Sequence, residues 1–180
     1  ESNYSNGKKL VRNDFIIELK DRGAHCDLRG VYLADQKNHI DHHTIIEHED
    51  EHCTSNELYK GILSGKSTAV FNGRIHVHKA AQKTDAIQSN QNLLLSDDAV
   101  IHTKPELEIY ADDVKCTHGA TIGRLDEKGI FYLRARGIKR EEAQKMMMRA
   151  YIGEVLSGMK NSETKESLLE KIIENIPEGE

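Results

Sequence analysis

The stretch Lys104-Pro105-Glu106-Leu107-Glu108-Ile109-Tyr110-Ala111-Asp112-Asp113-Val114-Lys115-Cys116-Thr117-His118-Gly119-Ala120-Thr121-Ile122-Gly123 decides how the chain reads. Leu107, Glu108 and Ile109 alternate as a half-buried strand does, and Asp112-Asp113 marks a turn. Beyond Gly123 the period becomes helical. Asp126 is placed to cap a helix that carries Ile130, Phe131 and Leu133 and stops at Gly137, a residue suited to the left-handed end position. The change of period divides a strand-built half, residues 1–123, from a helical half, residues 124–180.

Upstream of this stretch, short runs rich in Val, Ile, Thr and Tyr alternate with turn clusters. Val31 to Leu33, Ala69 to Phe71, Ile75 to Val77 and Leu93 to Leu95 read as strands. Asp35, Ser64-Gly65, Asn72-Gly73, Asp97-Asp98 and Lys104-Pro105 read as turns. This is the rhythm of an all-β unit, and no helical pattern interrupts it, which excludes crossover α/β folds. A sandwich, a jelly roll and a solenoid of stacked turns all fit, and no strict repeat is visible. No Trp and 5% aromatic residues favour stacked rungs over a core built around large rings.

Downstream, a second helix starts near Arg140 and places Ala143, Met147, Ala150, Tyr151 and Val155 on one stripe. Met146, Met147 and Met148 read as core rather than as a cofactor box. A third helix, after Asn161 or Ser162, repeats Leu168, Leu169, Ile172, Ile173 and Ile176 before Pro177 ends it. So apolar a stripe must dock on its own chain or on a partner.

Composition narrows the function. The chain has 180 residues, 37% of them hydrophobic, with 25 Lys and Arg against 30 Asp and Glu and a formal charge of −5. Disorder and nucleic-acid binding are thereby disfavoured. No run reaches the 18 or so apolar residues of a membrane span. Cys26, Cys53 and Cys116 lie far apart and are expected as free thiols in a reducing compartment. The chain starts at Glu1, and nothing ahead of the first strand-like run looks like a domain start, so a piece of a longer protein is expected.

Three other patterns lead nowhere or only to an alternative. Gly61-Ile62-Leu63-Ser64-Gly65-Lys66-Ser67 imitates a phosphate loop but has three residues between its glycines where four are needed, and the strand-like Thr68 to Phe71 follows instead of a helix. His76 and His78, two apart on a strand, point the same way and can share a metal, the basis of an alternative reading as a cupin-like metalloenzyme. Gln82 stands where a cupin would supply a glutamate, and solvent-facing histidines opposite inward Ile75 and Val77 are the simpler reading. His39, His42, His43, His48 and His52, with Glu47, Glu49, Asp50 and Glu51, match no closed zinc spacing and read as a polar face.

The residues from Lys104 to Gly123, followed by Phe131-Tyr132-Leu133-Arg134-Ala135-Arg136-Gly137-Ile138, closely resemble the SufB/SufD family of iron–sulfur cluster assembly scaffolds. The likeness runs from about Ala24 through the C-terminal helices. Gly119 after His118, then Ile122-Gly123, resembles the SufD branch; SufB members usually carry Glu and Ser-Lys there. The resemblance implies a mainly β fold with α, a right-handed parallel β-helix core over residues 1–123 followed by a small C-terminal helical domain over 124–180. Full-length members also have an N-terminal helical domain. It implies a cytoplasmic scaffold that turns over no substrate itself, with a SufB-like subunit and a SufC-like ATPase as partners.

The implied cargo is a transient iron–sulfur cluster. Thiolates suit iron and sulfide, and an imidazole ligand suits a labile cluster. Cys116 and His118 supply one of each on alternate residues. The resemblance puts the position of His118 at the SufB–SufD interface and makes it the metal-ligand candidate, with Cys116 the weaker one. Phe131, Tyr132, Leu133, Arg136 and Gly137 fall in the segment where family members receive the ATPase. Without a SufB-like partner, the open end of a β-helix is expected to pair with itself as a homodimer.

Overall fold

The computed structural model describes residues 2–6 and 9–177. Its β half is a parallel solenoid. The strands β1 (Ser2–Asn6), β2 (Leu10–Leu19), β3 (His25–Ala34), β4 (His39–His48), β5 (Thr54–Leu63), β6 (Thr68–Val77), β7 (Asp85–Leu94), β8 (Val100–Ile109) and β9 (Lys115–Gly123) alternate between two sheets. One sheet runs β1-β3-β5-β7-β9 and the other β2-β4-β6-β8, every pairing parallel. Leu10 aligns with His39, His39 with Thr68, and Thr68 with Val100, so a turn takes roughly thirty residues. The later turns are longer than the earlier ones, which is why no strict repeat shows in the sequence. The antiparallel jelly roll of a cupin is excluded.

The strands are longer than the sequence predicts, and two expected turns lie inside them. Asn72-Gly73 sits mid-β6, so Ala69 to Phe71 and Ile75 to Val77 are one strand. Gly73 is there for space: a Cβ would meet the Gln88 side chain at 2.6 Å and the Phe71 ring at 2.8 Å. Lys104-Pro105 lies within β8, an edge strand, where a missing N–H costs no ladder bond. The turns at Asp35, Ser64-Gly65, Asp97-Asp98 and Asp112-Asp113 are present.

One column of corners stacks left-handed residues. Gly23, His52 and Lys83 have φ of 75°, 60° and 62°, and their amides donate to Glu51 O, Gln82 O and Asp113 O of the next turn. His52 is thus a corner residue. His42 and His48, expected on a polar face, instead point inward and are buried.

Helix α1 (Glu127–Arg134) is capped by Asp126, whose carboxylate accepts from the Lys128 amide at 3.0 Å, and Gly137 beyond it has φ of 86°. Helices α2 (Arg140–Leu156) and α3 (Ser162–Glu174) follow, the latter capped by Asn161. The buried stripe of α2 is Ala143, Met148, Ile152, Val155 and Leu156, rotated from the expected one. Met147 is only half-buried and Ala150 is exposed. Met148, Ile152, Val155 and Leu156, with Ile172 and Ile176, pack on Val31, Leu33, Leu58 and Ile62, the outer face of the five-stranded sheet. Fully buried Lys60 pins the helix there, donating to Tyr151 O at 3.0 Å and Glu154 Oε2 at 2.5 Å.

Candidate functional site

Strand β9 ends its sheet. It bonds to β7 on one side, and among the described residues no strand lies on the other. Cys116 aligns with Ala86 and packs against the solenoid interior, where it is half-buried. His118, two residues on, shares that inward side but has no further rung above it and is exposed. Burial pushes the Cys116 thiol up, a hydrogen bond with the Ala86 backbone acts the other way, and Asp85 adds to the rise. The thiol is therefore held protonated, a poorer ligand than a thiolate. The geometry makes His118 the accessible donor of the pair.

Beneath His118 the interior is polar, which the strand pattern alone did not predict. The register stacks His118 on Gln88 and Gln88 on Glu57. Gln88 Nε2 donates to Glu57 Oε2 at 2.7 Å, and both side chains are buried. Burial pushes the Glu57 carboxyl up, and the hydrogen bond from Gln88 works against it. On the neighbouring positions Asn90 Nδ2 donates to the Tyr32 hydroxyl at 3.1 Å, the hydroxyl donates to Asn92 Oδ1, and Asn92 Nδ2 donates to Asn90 Oδ1 at 2.8 Å. The polar run Gln88-Ser89-Asn90-Gln91-Asn92 was the available signal. It conceals a strand because alternate residues hydrogen-bond to other polar side chains inside the solenoid.

The same end of the solenoid is apolar at its rim. Ile109, Tyr110 and Ile122 are exposed, and Ile122 lines a shallow hollow with Ile101, Thr103 and Phe71. The expected ATPase-receiving residues lie elsewhere, on and after α1. Phe131 and Tyr132 are exposed, Leu133 is half-buried, and the Arg136 guanidinium lies 3.5 Å from the Tyr132 ring centroid. Arg140 donates to both Glu127 oxygens, at 3.0 and 2.7 Å, and so ties α1 to α2.

His76 and His78 do come together, on the outer face of the four-stranded sheet, with Glu47 as their companion rather than anything near Gln82. The stretch Gly61 to Ser67, set aside above as a phosphate loop, is a strand end, a turn and a strand start, with Gly61 against Tyr32 and Asn92.

The chain has counterparts among known proteins. Residues 2–151 match the family model for the SufBD core domain of the SUF system of iron–sulfur cluster assembly. The chain belongs to the SufBD family. It is similar to the iron–sulfur cluster assembly protein SufD of Escherichia coli, 39% identical over 173 residues that make up 96% of this chain and 41% of that protein. A SufBD family protein of Synechocystis is 39% identical over 150 residues, 83% of this chain and 33% of the relative. One of Mycobacterium leprae is 32% identical over 174 residues, 92% and 44%. The chain spans less than half the length of these SufBD relatives. No helix among the described residues is long and apolar enough to cross a membrane.

Proposed function

We propose that this chain is the core of a SufD-like scaffold subunit, dividing into a β-helix domain over 1–123 and a helical domain over 124–180. It pairs with a SufB-like subunit through the β8–β9 end of the solenoid and presents His118 to a transient iron–sulfur cluster. One observation carries this reading: His118 is exposed on the inward side of a terminal strand whose other edge meets no strand among the described residues. An iron–sulfur cluster is ordinarily held by four protein ligands. The β9 rung offers one imidazole and one half-buried thiol, so the remaining ligands come from whatever covers that rung. A partner strand added to the β9 edge brings its own side chains to the place where the cluster forms, and the exposed Ile109, Tyr110 and Ile122 give the joint an apolar rim.

The SufC-like ATPase docks on α1 and the turn after it, through Phe131, Tyr132, Leu133, Arg136 and Gly137. Two exposed aromatic residues consecutive in sequence, one with an arginine stacked on its ring, are the residue types that anchor interfaces. ATP hydrolysis belongs to that partner, and this chain acts in the cytoplasm as a scaffold without turnover of its own. Alone, the open rung pairs with a second copy.

The test uses the full-length protein co-produced with a SufB-like subunit and the ATPase. His118→Ala is expected to assemble normally, since a surface substitution costs within about 0.5 kcal/mol, yet to acquire no cluster on reconstitution. Normal cluster yield in the assembled His118→Ala complex overturns the assignment, and a variant that does not fold shows His118 to be structural.

A further inference from the structure

On the outer face of the four-stranded sheet, well removed in sequence from His118, two histidines and one carboxylate converge. The ladder pairs Glu47 of β4 directly with His76 of β6, and both point outward because their neighbours Ile46, His48, Ile75 and Val77 are buried. His78 is the next outward residue along the chain, held by its amide, which donates to His48 O at 2.9 Å. Glu47 Oε2 takes both rings: His76 Nδ1 lies at 2.5 Å and His78 Nε2 at 2.9 Å. The two ring centroids are 4.3 Å apart, and Tyr110 packs its ring edge-on against His76 at 5.4 Å.

From this geometry we infer that Glu47, His76 and His78 form a mononuclear site for a divalent first-row transition ion. Each residue offers one ligand atom, and the three lie within 4.8 Å of one another. Ligands of one small ion, each at about 2.0–2.2 Å from it, must lie that close together. The separations here are those of hydrogen bonds, so an ion replaces the two protons that now bridge nitrogen to oxygen. Opening the triad by a fraction of an ångström admits it. Two imidazoles and one carboxylate are borderline and hard donors, which select zinc, nickel or ferrous iron over calcium and magnesium, and three protein ligands leave open positions for water or a further ligand. The scaffold is rigid where such a site needs it, since Glu47 and His76 stand on adjacent strands of one ladder and Tyr110 fixes one ring. Solvent can reach the site, because the His78 side chain is 44% exposed.

The full-length protein is titrated with zinc against a chromophoric chelator, and with cobalt for its visible spectrum. The inference expects one zinc per chain and a cobalt spectrum with nitrogen and oxygen ligation and no thiolate charge-transfer band. His78→Ala, at an exposed position just past the end of β6, and Glu47→Gln, which keeps a hydrogen-bonding side chain, are the variants least able to disturb the fold. Each is expected to weaken binding by at least the roughly 10–100-fold typical of losing an outer-shell partner. His118→Ala is expected to leave zinc binding unchanged, which keeps this site separate from the cluster reading. No zinc binding, binding that survives His78→Ala and Glu47→Gln, or a thiolate band in the cobalt spectrum overturns the inference.

Discussion

Between Tyr32 and Tyr59 the His42 ring is held at centroid distances of 5.2 and 5.4 Å, and no water reaches it. Burial lowers its pKa to about 4, the Asp41 charge acting the other way, and burial likewise brings His48 to about 4. Both are neutral in the folded chain and gain a proton near pH 6.5 when it unfolds. The stability they contribute is complete above pH 6.5 and is lost as the pH falls towards 4, on the order of 2–3 kcal/mol for each. Urea denaturation at pH 7.0 and 4.5 is expected to show that loss, and His42→Phe, which keeps a ring between the two tyrosines, is expected to reduce it. An unchanged pH profile for His42→Phe contradicts this origin. At this scale legibility in the sequence is uneven. The motif singles out His118 as the candidate, whereas Glu57, Gln88, Asn90 and Asn92 do not stand out, because polar residues that hydrogen-bond to one another in a core look like loop residues in a sequence. The inward turn of His42 and His48 follows from strand alternation, but it became visible only once the strand containing both was known to run ten residues.

Helix α2 shows what an element contributes beyond its own residues. Its start near Arg140 was legible from the helical period and from Gly137 before it, but the stripe it buries was not, since Met146, Met147 and Met148 let an apolar stripe be drawn at more than one rotation. The outer face of the five-stranded sheet selects Met148, Ile152, Val155 and Leu156. Ile152→Ala, at a fully buried position, is expected to cost about 2–4 kcal/mol and to make the helical segment more susceptible to limited proteolysis. Wild-type resistance in that variant contradicts the packing. The strands carry a complementary constraint. A Cβ on Gly61 would lie 2.3 Å from the Tyr32 ring and 2.5 Å from Asn92 Oδ1. Gly61→Ala is therefore expected to destabilise by roughly 1–3 kcal/mol, as overpacking does, readable as a lower thermal midpoint. The same close approach explains why Gly61 and Gly73 belong to strand interiors.

For the molecule as a whole, stacking turns leaves two ends, and the end with β8 and β9 combines open strand edges, exposed Ile109, Tyr110 and Ile122, and His118. The solenoid was legible from strand rhythm, low aromatic content and the family motif together; rhythm alone left a sandwich equally open. Light scattering of the full-length protein without partners is expected to show a dimer at tens of micromolar, and Ile122→Arg is expected to yield monomer by placing a charge in the joint. A wild-type protein that stays monomeric at that concentration contradicts pairing through this end. Iron–imidazole bonding at the joint is read by pulsed electron paramagnetic resonance on the cluster reconstituted in the complex with SufB-like and SufC-like partners, reduced to its paramagnetic state, with histidine of this subunit alone labelled with nitrogen-15. A nitrogen-15 coupling of the strength of a direct iron–imidazole bond is expected, absent when His118 is replaced by Ala. A cluster with no such coupling, or one whose coupling survives His118→Ala, contradicts iron ligation by His118.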